Sequence, residues 1–78
     1  MITISQVPIG ATVQIDGEKF QYKGQAMLRV KGGKTSMYVF TDPEDKSNQK
    51  VFQVSKTLTF GKVGEEYIMV TGKETNYE

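Results

Sequence analysis

The chemistry open to this chain is bounded first by what it lacks. Its 78 residues include no histidine and no cysteine, which removes imidazole general bases, thiolate nucleophiles, thiolate metal sites and disulfides together. Catalysis would then fall to Ser, Thr, Lys, Tyr or a carboxylate of shifted pKa. No spacing in the sequence brings such a group together with a partner, so we expect no enzyme, no catalytic residue and no cofactor.

Four local patterns come closest to a site. Gly33-Lys34-Thr35 ends like a phosphate-binding loop, but that loop requires a further glycine where Leu28 stands and a helix starting at the lysine. Gly61-Lys62-Val63-Gly64 has the spacing of the GXXG loop that clamps a nucleic-acid backbone between two helices. No helical pattern flanks it here, and it reads as a glycine-bracketed turn. Asp42, Glu44 and Asp45 offer the oxygen ligands that calcium or magnesium prefer, yet their spacing matches no metal loop and we expect no metal. They read as an exposed loop in which Asp42 as N-cap and Pro43 at the first position could start one helical turn. Glu65 and Glu66, being consecutive in an extended segment, point to opposite faces, which weighs against an acid pair unless a second carboxylate closes over it.

The elements that position these residues read as strands. Val13-Gln14-Ile15-Asp16-Gly17-Glu18-Lys19-Phe20 places Asp-Gly between two alternating segments, as a two-residue type I′ hairpin requires. With Ile15 and Glu18 flanking the turn, Val13 faces Phe20 and Ala11 faces Tyr22, while Thr12, Gln14, Lys19 and Gln21 lie on the polar side. A second hairpin is expected around Gly32-Gly33, pairing Val30 with Thr35, Leu28 with Met37 and Ala26 with Val39 on a buried face. Lys23-Gly24-Gln25 reads as a turn or bulge and Val7-Pro8-Ile9-Gly10 as a corner. Residues 2–6 suggest a short strand. Residues 50–60 resume alternation, with Phe52, Val54, Leu58 and Phe60 inward and Lys56 interrupting the inner row. Residues 67–71 form a last strand, and residues 72–78 are expected to fray.

The outer face of the second hairpin is the surface with the most to offer a partner. Met27, Arg29, Lys31, Lys34, Tyr38 and Phe40 fall on it or at its turn, and aromatic, Met and Arg side chains are enriched where proteins bind one another. Exposed, these residues would form a protein-binding patch. Alternatively Tyr38 and Phe40 would stack on the bases of single-stranded nucleic acid while Arg29, Lys31 and Lys34 track phosphates. The bland alternative is that Met27, Tyr38 and Phe40 are buried on a second side of a bent sheet.

Length allows one domain, residues 1–78. Ten Lys and Arg against nine Asp and Glu give a net charge of +1, which neither demands nor excludes nucleic acid. No run approaches the roughly 18 apolar residues of a membrane span, and residues 1–10 lack a signal peptide's basic start and apolar run. The absence of disulfides in so small a domain suits a reducing compartment, so cytoplasm, or a virion, is the expected setting. The fold class is all-β: a small antiparallel barrel or sandwich of five to seven short strands. The layout of the Val7-Pro8-Ile9-Gly10 corner, the Asp16-Gly17 hairpin, the Gly24 turn and Asp42-Pro43 resembles an SH3-like small β-barrel and is similar to compact accessory proteins of phages. That resemblance implies a binding role, as in a phage-encoded modulator or inhibitor of a larger host protein, and brings no functional residue with it. Homo-oligomeric assembly as a structural or virion component is the third reading.

Overall fold

The computed structural model describes residues 2–55 and 57–71. Lys56 and the 72–78 segment expected to fray lie outside the described residues. The fold is all-β, with β1 (Ile2–Thr3), β2 (Thr12–Ile15), β3 (Glu18–Val30), β4 (Gly33–Asp42), β5 (Asp45–Gln53), β6 (Thr59–Val63) and β7 (Glu66–Thr71). One short 3-10 turn, Ile4–Gln6, follows β1, so the strand expected over residues 2–6 is only two residues long. The seven strands form one sheet in the order β1-β6-β7-β2-β3-β4-β5. Every pairing is antiparallel except that of β2 with β7. Among the described residues no helix is long and apolar enough to cross a membrane.

The first hairpin forms as its residues dictate. Val13 pairs with Phe20 and Ile15 with Glu18, and Asp16 (φ 52°) and Gly17 (φ 84°) supply the two positive φ values of a type I′ turn. Tyr22 then donates its N–H to the Ala11 carbonyl at 3.0 Å. At Lys23 a bulge shifts the register between Tyr22 and Gly24, with Gly24 at φ 88°.

The second hairpin turns one residue earlier than expected. Lys31 and Gly32 occupy the turn, and Val30 pairs with Gly33, Leu28 with Thr35 and Ala26 with Met37. Gly32 alone (φ 93°) meets the positive φ of this turn, and Gly33 (φ 143°) opens β4. Because the pairing moves by two residues, each side chain keeps its expected face.

Residues 50–60 do not make one strand. The chain turns at Val54 and Ser55, so β5 ends one edge of the sheet while β6 lies between β1 and β7. Gly61 belongs to β6, and the following turn is Gly64-Glu65, with Gly64 at φ 63°. Pro43-Glu44 makes a strand-to-strand turn rather than a helical one. Asp42 Oδ1 accepts the Glu44 N–H at 2.9 Å, an Asx turn that competes with helix initiation.

The inner face of the curled sheet gathers Val13, Phe20, Tyr22, Phe40, Phe52, Leu58 and Phe60, with Val7 from the corner. The curl is evident in the approach of Phe40 on β4 to Phe60 on β6, with ring centres 6.4 Å apart although three strands separate them in sheet order. A second cluster on the other face packs Met37, Val39 and Val51 with Leu28 and Val30. The base of β4, from Met37 to Thr41, is therefore buried on both faces.

Candidate partner-binding surface

The six residues expected to form a patch are split by the structure. Phe40 is 0 % exposed and Tyr38 8 %, and both belong to the main core. Phe40 lies 5.1 Å from Tyr22 and 5.7 Å from Phe52, ring centre to ring centre. These two aromatics are withdrawn from the surface, because the curl of the sheet brings the core over the base of the hairpin on the very face expected to be open. Packing of aromatic rings stabilises that arrangement by more than solvent exposure would allow.

Cover stops partway along the hairpin. Gln53 of β5 pairs with Met37, and beyond it Val54 donates one N–H to the Ser36 carbonyl at 3.2 Å. On the other side, the contacts of β2 with β3 end at Tyr22. The free end of the hairpin is thus a two-stranded ribbon, and the molecule is correspondingly long, 39 × 27 × 19 Å. Met27 (62 % exposed), Arg29, Lys31 and Lys34 all stand on this ribbon in solvent. Met27 pairs with Ser36, whose hydroxyl donates to the Met27 sulfur at 3.2 Å, and Arg29 pairs directly with Lys34.

That last pairing runs against ordinary sheet chemistry. Like charges directly opposite on neighbouring strands destabilise a sheet, on a scale of about 0.2–1 kcal/mol per pair. Elsewhere the fold does use compensation: Lys19 Nζ meets Glu66 Oε2 at 3.1 Å, and Lys62 sits 5.5 Å from the centre of the Tyr67 ring. Arg29, Lys31 and Lys34 have no carboxylate partner among the described residues. From Lys19 to Thr41 the chain carries five cationic residues, Lys19, Lys23, Arg29, Lys31 and Lys34, and not one carboxylate. Acidic residues gather at the opposite end of the hairpin, in the Asp16-Gly17 turn and around Pro43, where Glu18, Asp42 and Glu44 line one shallow depression. A net charge of +1 hides this polarity, and a charge plot along the sequence would have revealed it.

The remaining sequence patterns have structural roles. Asp42 Oδ2 accepts from Asn48 at 3.2 Å, and Asp45 accepts the Ser47 N–H at 3.1 Å and its hydroxyl at 2.6 Å. Those two bonds hold the Asp45 carboxyl below the usual carboxylate range. Among the described residues no three acidic groups converge as a metal site would need. Gly33-Lys34-Thr35 lies in strand β4, without the helix a phosphate loop requires. Burial, reinforced by the neighbouring Tyr38, raises the Tyr22 hydroxyl pKa. A groove of about 400 Å³ on the outer face is lined by Lys23, Ala26, Val39, Thr41 and Lys46 among others, and Thr41 within it accepts from Gln49 at 3.3 Å.

Compared with known proteins, the chain matches no family model, no curated protein and no solved structure.

Proposed function

We propose that this chain is a non-catalytic protein-binding module that engages a larger protein through the free end of its β3–β4 hairpin. The observation that carries the reading is the exposed row of Met27, Arg29, Lys31 and Lys34 on a ribbon that extends past the body of the sheet. An apolar, flexible methionine beside an arginine is the kind of pair that anchors protein interfaces. A module of this size acts by occupying a surface of its partner.

Single-stranded nucleic acid is the second reading, favoured by the run of cations without carboxylates. It loses its stacking platforms to the core, since Tyr38 and Phe40 are both buried. Capture from lysate separates the two. With wild-type protein and Arg29→Ser/Lys34→Ser as the comparison, a stoichiometric protein that survives nuclease and is lost with the variant supports the proposal. Loss of all captured material on nuclease treatment transfers the function to nucleic acid, and equal capture by the variant overturns the surface.

A further inference from the structure

The free end of the hairpin has an open backbone edge as well as exposed side chains. Tyr22 is the last residue of β3 that bonds to the β2 side, and no strand among the described residues runs beside β3 from Gln25 to Val30. Along this stretch every second residue directs its N–H and C=O toward β4, and the alternate ones direct theirs outward. Gln25, Ala26, Met27 and Arg29 are exposed, so the outward groups face water and can pair with an added strand.

Open edges are a hazard, and proteins blunt them with charge. The β5 edge of this sheet is blunted by an irregularity: Thr41 pairs with Gln49 but Asp42 with Asp45, leaving residues 46–48 without partners in the ladder. The β3 edge has no such break past Gly24. Its protection is Arg29 with Lys31 and Lys34, which repel the identical edge of a second copy. The same charges select an occupant of opposite sign. Two rows of side chains set the spacing: Arg29 opposite Lys34, and Met27 opposite Ser36, two residues away or about 7 Å along the strand. An extended partner segment has the same period, so an acidic residue over the cationic pair places the residue two positions away over Met27.

Resting on the protein-binding reading above, we infer that the β3 edge from Gln25 to Val30 accepts an extended protein segment by strand addition, with an acidic residue on Arg29 and Lys34 and an apolar one on Met27. Backbone bonds supply the affinity, and the acidic-x-apolar spacing supplies the selection. A phosphodiester chain would satisfy the cations but offers neither the backbone donors nor the apolar contact.

The test uses a capped heptapeptide, Thr-Glu-Thr-Val-Thr-Glu-Thr, titrated into the full chain. Wild type is expected to bind it, with affinity falling about tenfold when both glutamates become glutamines and again with Arg29→Ser, a loss of about 1.4 kcal/mol for each. Methylating the peptide nitrogens at one set of alternate residues should abolish binding, and methylating the other set should not. Circular dichroism melting checks that Arg29→Ser stays folded, and Met27→Ser serves as an independent variant with the same expected direction. No binding of the parent peptide, equal binding of the glutamine peptide, or indifference to both methylation sets each overturns strand addition. Tighter binding of an oligothymidylate than of the peptide also overturns it. If the peptide fails while Arg29-dependent capture of a protein from lysate persists, strand addition is wrong and the broader binding reading stands.

Discussion

Replacing Phe40 by Ala decides whether the core has been placed on the right face of the second hairpin. The ring is fully buried and meets Tyr22, Phe52 and Phe60 at 5.1, 5.7 and 6.4 Å between centres. Four elements meet at this side chain, β3, β4, β5 and β6, so little local collapse is available to refill the space. A Phe→Ala change in such a site costs about 3–5 kcal/mol. At about 0.05–0.15 kcal/mol per residue, a 78-residue domain has roughly 4–12 kcal/mol in total. Phe40→Ala should therefore remove about a quarter or more of the stability. In urea, where small domains lose about 1–3 kcal/mol per molar, the midpoint should fall by about 1–5 M. Met27→Ala, at an exposed position on the same face of the hairpin, should stay within about 0.5 kcal/mol of wild type. A loss below about 1 kcal/mol for Phe40→Ala, or an equal loss for Met27→Ala, would refute the assignment, because a one-residue slip exchanges the two faces of a strand.

Gly17→Val should destabilise by about 1–2 kcal/mol, because the residue sits at φ 84° with nothing within 4 Å of an added Cβ, so the penalty is one of backbone conformation and not of collision. Gly17→Asn, which tolerates that region, should cost much less in the same melting experiment; equal costs would show the turn type to be wrong. Tyr22 predicts an alkaline limit. Its folded pKa is raised by burial and by Tyr38, so the folded state holds the proton more tightly than the unfolded chain. That contribution is complete below the unfolded value of about 10 and is lost as pH rises through the folded pKa. Melting temperature should fall with pH above about 10, and Tyr22→Phe should flatten the fall; an unchanged pH dependence in the variant would count against a buried phenol.

How much of this was legible in the sequence depends on whether the signal was local. Asp16-Gly17 defines its turn by the φ values those residues tolerate, and the pairing of Val13 with Phe20 followed directly. Alternation also placed Phe52, Leu58 and Phe60 inward, although Val54 and Ser55 break what reads as one strand into two. Gly32-Gly33 offered two glycines where the turn uses one, and the register moved accordingly. The sequence left open whether Tyr38 and Phe40 are exposed or buried, for a different reason. Period-two reading assigns one buried face to a strand, whereas β4 at its base is covered on both by the coiling of the whole sheet, a tertiary effect no local window contains. The surviving part of the candidate surface, Met27, Arg29, Lys31 and Lys34, lies where β5 and β2 no longer flank the hairpin, and strand lengths of that kind are not written in any motif.

Hydrogen exchange on the complex formed with a captured protein partner shows whether the free end of the β3–β4 hairpin is the binding edge, since it reads protection residue by residue without altering the chain. Exchange should slow within residues 25–36, most at alternate amides from Gln25 to Val30, with the β1 and β6 strands unchanged. Protection confined to β1 and β6 or to the β5 edge, with residues 25–36 exchanging as in the free protein, would show the binding edge to lie elsewhere.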